Sequence, residues 1–180
     1  NNYAGDDGAL AGVGDEFLER RAAAYQAWYE NLPLRVEVPV DGEVVVHRDA
    51  VFGDLARLFV IETRQHADPA PCRETSTLDA GPGCDEQQDP ERTALGADQE
   101  AWLIDAMAEN TAQWQILANP VLLAGLDISP PDDPPAFFLE TWDGYPAQRS
   151  RIVEAMADNE VRNPVILSGD YHASFVALVR

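Results

Sequence analysis

The sequence predicts an α/β protein in which strands and helices alternate along the chain. From residue 55 to residue 179, stretches with strand-like and helix-like patterns follow in the order β-α-β-α-β, which is typical of a layered α/β domain. Hydrophobic residues make up 46% of the chain, as in ordinary globular domains. The 180 residues show no repeat and no internal boundary. We therefore expect residues 1–180 to be part of one domain, with a hydrophobic core of its own.

The charge of the chain excludes several kinds of partner. The net charge is −20, from 32 acidic and 12 basic residues. Proteins that bind nucleic acids or anionic membrane surfaces need a basic face, and the few arginines here form no such patch. An acidic chain is compatible with the binding of divalent cations, which prefer oxygen ligands.

The first predicted element is a helix over residues 15–30, after a loop of residues 1–14. Apolar and long side chains recur in it at spacings of three and four, which predicts one buried face. Pro33 ends the helix because proline disfavours helical geometry in the residue before it. The residues on the predicted face are Phe17, Arg21, Ala24, Tyr25 and Trp28.

The next stretch, residues 35–62, reads as β-structure. Residues 35–40 alternate with period two, and a Val-rich segment, residues 43–48, follows the hairpin signal Asp41-Gly42. Residues 55–61 form a nearly continuous apolar run, which predicts a buried strand. Polar residues 62–65 follow at its carboxyl end.

A polar loop, residues 66–94, holds the two cysteines, Cys72 and Cys84. The pair forms either a disulfide, which would indicate an oxidising compartment, or two free thiols. No CxxC pair or nearby set of histidines supports a zinc site.

The remaining elements complete the alternation. We expect Asp98 to cap a helix, and Pro146 suits the first turn of another helix. The predicted helices cover residues 99–109 and 146–158, and the predicted strands cover residues 114–117, 165–167 and 173–179.

The strongest candidate site follows the strand of residues 165–167. Asp170 and His172 are two residues apart, so in an extended segment both side chains point to the same side. Ligands of open α/β sheets bind outside the carboxyl ends of the strands, which suits a metal or phosphate site. The alternative is a loop aspartate and histidine that hydrogen-bond to nearby backbone.

Two arginines, Arg35 and Arg64, stand at predicted element boundaries. A guanidinium fork matches two oxygens of a phosphate group, but each arginine is also explained by an ion pair with one of the many carboxylates. The segment 142–146 places Trp142 and Tyr145 around an Asp-Gly turn. It is either a pocket wall or a helix cap with a hydrophobic staple.

Several stretches together, in this order, resemble the PhoD-like alkaline phosphatases and phosphodiesterases. They include Asn1-Asn2-Tyr3-Ala4-Gly5 near one end and Leu167-Ser168-Gly169-Asp170-Tyr171-His172 near the other. The matching stretches are residues 1–5, 20–30, 33–35, 52–56, 62–65, 92–103, 142–147 and 167–172.

The resemblance implies an incomplete α/β/β/α metallophosphoesterase-like domain of an exported enzyme, which is extracellular or in the cell envelope. It implies hydrolysis of phosphate mono- or diesters with calcium and iron. Asp170 and His172 would then be metal ligands, as would Asn1 or Asn2 at the end of a ligand loop. Arg35, Arg64 and His172 would be catalytic.

The sequence also departs from the family pattern. Asn31 replaces a common histidine, Glu62 a common aspartate and His66 a common tyrosine. The family's Asp-Asp-His-Glu motif would precede Asn1, and the other end of the chain lies within a predicted strand. We therefore expect these 180 residues to be an internal part of a longer protein and to be inactive without the rest of it. The alternative function is an acidic, non-catalytic extracellular binding module that retains the fold.

Overall fold

The computed structural model describes residues 3–8, 12–73, 80–109, 111–174 and 176–179. Short 3-10 turns cover Asp85–Gln88 and Trp142–Gly144. The helices are α1 (Asp15–Asn31), α2 (Ala97–Ala108) and α3 (Pro146–Asp158), and the strands are β1 (Arg48–Phe52), β2 (Ala56–Val60), β3 (Ala80–Gly81), β4 (Trp114–Asn119), β5 (Phe137–Phe138) and β6 (Pro164–Ser168).

The main sheet has the strand order β1-β2-β4-β6. β1 is antiparallel to β2, whereas β2, β4 and β6 are parallel to one another. β3 and β5 form a separate antiparallel pair. The predicted α/β class is therefore confirmed, together with the three helices and the strands at β2, β4 and β6.

The core lies where the two central strands meet helices α2 and α3. Phe59 of β2 and Leu117 of β4 pack in one cluster with Leu103 of α2 and Ile152 of α3. Each of these side chains is at most 2% exposed. Burial of such a side chain stabilises the folded state by about 1.5–3 kcal/mol, so this cluster fixes the orientation of the parallel strands.

The predicted hairpin of residues 35–48 is wrong except for its turn. Asp41 and Gly42 have positive φ angles of 52° and 80°, and Val40 and Glu43 exchange two backbone hydrogen bonds across them. The flanking segments do not continue as strands, because they join no sheet. Val44 is buried, but other valines of these segments, such as Val38 (54% exposed), face solvent. The strand that pairs with β2 begins instead at Arg48.

The predicted last strand, residues 173–179, is also wrong. None of the described residues in that range has strand geometry or pairs with β6. The loop before α2 follows the prediction more closely, because Cys72 and Cys84 form a disulfide. None of the described helices is long and apolar enough to cross a membrane.

Candidate functional site at the ends of the parallel strands

The carboxyl ends of three parallel strands meet at one edge of the main sheet. Residues 62–65 follow β2, Asn119 ends β4, and Asp170 and His172 follow β6. The register places Asn119 directly beside Ser168. Because this edge is where ligands of open α/β sheets bind, the polar side chains gathered here form the candidate site.

Asp170 and His172 lie close together, but not in the predicted way. The distance between Asp170 Oδ1 and His172 Nε2 is 3.9 Å. Both residues have left-handed backbone geometry, with φ angles of 61° and 59°, so the expected extended segment is wrong. The side chains are 49% and 91% exposed, which leaves their polar atoms accessible to a ligand.

A cavity of about 220 Å³ lies beside this pair. Arg64 lines it, so the structure brings this predicted residue together with Asp170 and His172. Arg35 is exposed in the segment after α1 and does not line the cavity, so its role stays a prediction. Asn1 and Asn2 lie outside the described residues. The other lining residues are Val121, Leu122, Phe138, Glu140, Thr141, Gly169 and Tyr171.

The backbone around Arg64 is held by two side chains. The carboxylate of Glu62 accepts hydrogen bonds from the backbone N–H groups of Arg64 (2.6 Å) and Gln65 (3.0 Å). The amide of Gln99 on α2 donates to the Glu62 carbonyl oxygen and accepts from the Glu62 N–H, both at 2.8 Å. The end of β2 is thus attached to α2, and the Arg64 guanidinium points towards Glu140, with Nη1 3.4 Å from Oε2.

The environment of Glu62 disfavours its charged form. Burial raises the pKa of the Glu62 carboxyl above its ordinary value of 4.5, and the backbone N–H groups of Gln65 and Arg64 oppose that shift. These hydrogen bonds supply donors to the carboxylate where water is largely excluded. Glu62 therefore serves mainly to shape the turn that carries Arg64.

A second network fixes the ends of β4 and β6, and sequence reasoning missed it. The indole Nε1 of Trp142 donates to Asn119 Oδ1 at 3.1 Å. The Asn119 amide donates to Ser168 Oγ, which also accepts from the Leu123 N–H, both at 3.4 Å. A signal was present in the sequence, since Asn119 is a polar residue that directly follows the apolar run of residues 116–118 in β4.

Trp142 itself is fully buried and belongs to the core. The Thr141 side chain accepts a hydrogen bond from the Asp143 N–H, which caps the 3-10 turn. This cap belongs to the 3-10 turn and not to α3, at whose start Tyr145 makes no side-chain capping hydrogen bond, so the predicted helix cap is not confirmed. Trp142 does not line the cavity.

The segment around Tyr3 packs against the same region. The hydroxyl groups of Tyr3 and Tyr25 are hydrogen-bonded to each other, and burial raises the pKa of both phenols. The Gly5 N–H donates to the Arg64 carbonyl oxygen at 2.8 Å, and Arg21 donates to the Gly5 carbonyl oxygen at 2.7 Å. Helix α1 thereby positions the segment that directly follows Asn1 and Asn2.

The donor atoms at this edge of the sheet supply only part of the ligand set that a metal ion needs. Asp170 offers a carboxylate, which suits calcium, and His172 offers an imidazole, which suits iron. Within the described ranges, no three His, Cys, Asp or Glu side chains are grouped so that they could hold a metal ion. Two donors fall short of a metal centre, so a metal bound here needs ligands beyond these two.

Comparisons with known proteins agree with the resemblance seen in the sequence. The model of the PhoD-like phosphatase family matches residues 1–180. Alkaline phosphatase D from Bacillus subtilis (strain 168) is 36% identical over 178 residues, which are 98% of this chain and 30% of that protein. A solved structure of PhoD matches with a TM-score of 0.87 and 36% identity, covering 96% of this chain and 32% of that one. The chain thus spans about 30% of the length of the curated relative it matches.

Proposed function

The chain belongs to the PhoD-like phosphatase family, and from this premise we propose that residues 1–180 are part of the catalytic domain of an enzyme that hydrolyses phosphate mono- or diesters. The observation that carries the proposal is the cavity at the strand ends, which Arg64, Asp170 and His172 line together. A guanidinium, a carboxylate and an imidazole at one cavity can bind a phosphate group, hold a metal ion and transfer a proton.

Arg64 is the residue that would bind the phosphate group. Its backbone is fixed by the Glu62 turn, and its side chain is 19% exposed at the cavity. A positioned guanidinium stabilises the charge that develops on phosphate oxygens during hydrolysis. Arg35 remains a second candidate for this role, and His172, at the exposed edge of the cavity, is proposed as a further catalytic residue.

We assign Asp170 and His172 as two of the ligands of a centre of calcium and iron, with Asn1 or Asn2 as a further ligand. Such a centre, when bound, polarises the phosphate group and lowers the pKa of a bound water. The chain's own contribution is to keep the two side chains within 3.9 Å of each other and open to solvent. Ser168, held by Asn119, anchors the strand end from which they project.

We also propose that the enzyme is exported and works outside the cell or in the cell envelope. The disulfide between Cys72 and Cys84 supports this location, because disulfides persist in oxidising compartments.

The test uses the full-length parent protein with p-nitrophenyl phosphate and bis(p-nitrophenyl) phosphate, in the presence of calcium and iron. Asp170→Ala and His172→Ala should each lower kcat/KM by at least about 100-fold, as expected for the loss of a metal ligand or its support. Asp132→Ala is the matched control, since Asp132 is an exposed aspartate that does not line the cavity. Unchanged rates in the two site variants would show that Asp170 and His172 do not belong to the active site.

The isolated 180-residue chain should be inactive, because its described residues supply too few metal ligands. Turnover by this chain with added metals would contradict that expectation. A full-length protein that binds phosphate esters without hydrolysing them would instead favour the non-catalytic binding module.

A further inference from the structure

Arg64 and Glu140 form an ion pair that faces the candidate active-site cavity. Arg64 Nη1 lies 3.4 Å from Glu140 Oε2, and each side chain is 19% exposed. The two residues are 76 positions apart in sequence. Glu140 stands beside the 3-10 turn that Thr141 caps, so both members of the pair are attached to fixed parts of the fold.

The ion pair leaves most of the guanidinium available. Among the described residues, Glu140 is the acceptor of Arg64 Nη1, and the Nε and Nη2 groups contact no side-chain acceptor. A guanidinium has five N–H donors in a planar fork. Arg64 can therefore hold Glu140 with one side of the fork and a phosphate group with the other.

From this arrangement we infer that Glu140 is a specificity-determining residue, which acts through Arg64 on the charge of the phosphate group that the site accepts. The inference rests on the proposed function. Glu140 places a negative charge next to the phosphate and disfavours a doubly charged phosphomonoester relative to a singly charged phosphodiester.

The size of the effect follows from Coulomb's law. The width of a guanidinium fork with one hydrogen bond on each side would put a bound phosphate about 6 Å from the Glu140 carboxylate. At an effective dielectric constant of about 40, repulsion of one additional phosphate charge changes binding by a factor of about ten. A monoester carries that additional charge above pH 7, because its second pKa is about 6.

The walls of the cavity favour the same substrate class. Phe138 and Tyr171 line it next to Arg64, and their rings pack edge to face with centroids 5.8 Å apart. Phe138 is 38% exposed, so its ring can contact the second organic substituent that a diester has and a monoester lacks.

The test compares p-nitrophenyl phosphate with bis(p-nitrophenyl) phosphate, which share a leaving group, at pH 8 in the full-length parent protein. In Glu140→Gln, the ratio of kcat/KM for the monoester to that for the diester should rise about five- to tenfold. The inhibition constant of inorganic phosphate, which is mainly doubly charged at this pH, should fall by up to about 100-fold, and it measures binding without turnover.

Three further variants separate charge from structure. Glu140→Asp keeps the carboxylate and should keep the wild-type ratio. Asp49→Asn neutralises a carboxylate of comparable exposure that pairs with Arg57. Neither residue lines the cavity, so this variant should also leave the ratio unchanged. Arg64→Gln removes the cation while Glu140 stays, so the ratio should move in the opposite direction.

The outcomes distinguish this inference from the proposed function. If the wild type hydrolyses neither ester, the proposed function fails. If the wild type is active and Glu140→Gln shows an unchanged ratio, or loses both activities equally, the specificity role is refuted while the proposed function stands. If the Glu140→Gln protein does not fold, Glu140→Asp and Arg64→Gln carry the test. A changed monoester-to-diester ratio in Glu140→Asp would refute the inference. An unchanged ratio in Arg64→Gln would refute it as well.

Discussion

Replacement of Gln99 by alanine should detach the turn of residues 62–65, which carries Arg64, from helix α2. The Gln99 side chain is 2% exposed, and its amide forms two 2.8 Å hydrogen bonds with the backbone of Glu62 and one of 3.0 Å with the Leu95 carbonyl oxygen. In Gln99→Ala, the N–H and C=O groups of Glu62 lose these partners at a place that water reaches poorly.

The expected loss of stability follows from the two backbone groups. A buried donor or acceptor left without a partner costs about 1–3 kcal/mol, so the free energy of unfolding should fall by about 3 kcal/mol. The Leu95 carbonyl adds little, because it lies one helical turn before Gln99 and is next to the start of α2. In the full-length parent protein, a displaced Arg64 should also lower kcat/KM for phosphate esters by about tenfold, since small errors in the position of a catalytic group have large kinetic effects.

Urea denaturation followed by tryptophan fluorescence measures the stability change, with Trp142 as a fully buried reporter. Gln26→Ala is the matched control, because Gln26 bonds the side chain of Glu30 on the exposed surface of α1 and should change stability by at most about 0.5 kcal/mol. If Gln99→Ala destabilises the protein no more than this control, the attachment of β2 to α2 through Gln99 is refuted.

Three other predictions concern the same part of the fold. Replacing Cys72 and Cys84 together by serine should lower the free energy of unfolding by about 3 kcal/mol, because the disulfide closes a loop with a sequence separation of 12; equal urea midpoints of the two proteins would contradict this. Burial raises the pKa of the Glu62 carboxyl, so the folded state binds a proton at Glu62 more readily than the unfolded state does. Protonation of Glu62 therefore stabilises the folded state at low pH, and this contribution is lost as the pH rises above 4.5 through the folded pKa. Glu62→Gln should therefore show a shallower fall of unfolding free energy with rising pH, and parallel pH profiles would refute the assignment. Arg64→Lys should lower kcat/KM for phosphate esters by about 10- to 100-fold because lysine lacks the planar fork, and wild-type kinetics would exclude two-point binding by Arg64.

The sequence predicted the elements in which a periodic pattern coincides with burial. Helix α3 begins at Pro146, where the sequence placed it, and β2, β4 and β6 coincide with the apolar runs. Because strands joined by helices are parallel, the polar residues after each strand had to meet at one edge. Asp170 and His172 were predicted from their position after a strand, whereas Arg64 was a candidate only because it stands at an element boundary.

The predicted hairpin shows where the same reasoning stops. Residues 35–40 and 43–48 have the composition and alternation of strands, and their turn forms as expected. A strand also needs a neighbour to accept its free hydrogen bonds and a core to cover one face. Neither requirement is visible in local sequence, and β2 pairs instead with the segment that begins at Arg48.

The contacts that complete the candidate site are also hidden from local patterns. Gln99 contacts Glu62 across 37 residues, and Glu140 contacts Arg64 across 76. Nothing in the spacing of these residues marks them, since each is a common polar residue in an acidic chain. Their roles follow from the packing of α2 and of the Trp142 turn against the strand ends.

The backbone conformation at His172 can be tested by mutation. The sequence predicted an extended segment here, whereas the structure shows left-handed geometry. His172→Ala and His172→Gly both remove the imidazole, so they differ only in backbone preference. At a φ of 59°, a residue with a Cβ atom is disfavoured by about 1 kcal/mol relative to glycine. His172→Gly should therefore be more stable than His172→Ala by up to about 1 kcal/mol in urea denaturation. In an extended segment the order of stability would be reversed, because glycine loses more conformational freedom than alanine on folding. A His172→Ala protein that is more stable than His172→Gly would therefore refute the left-handed geometry, in which His172 lies 3.9 Å from Asp170.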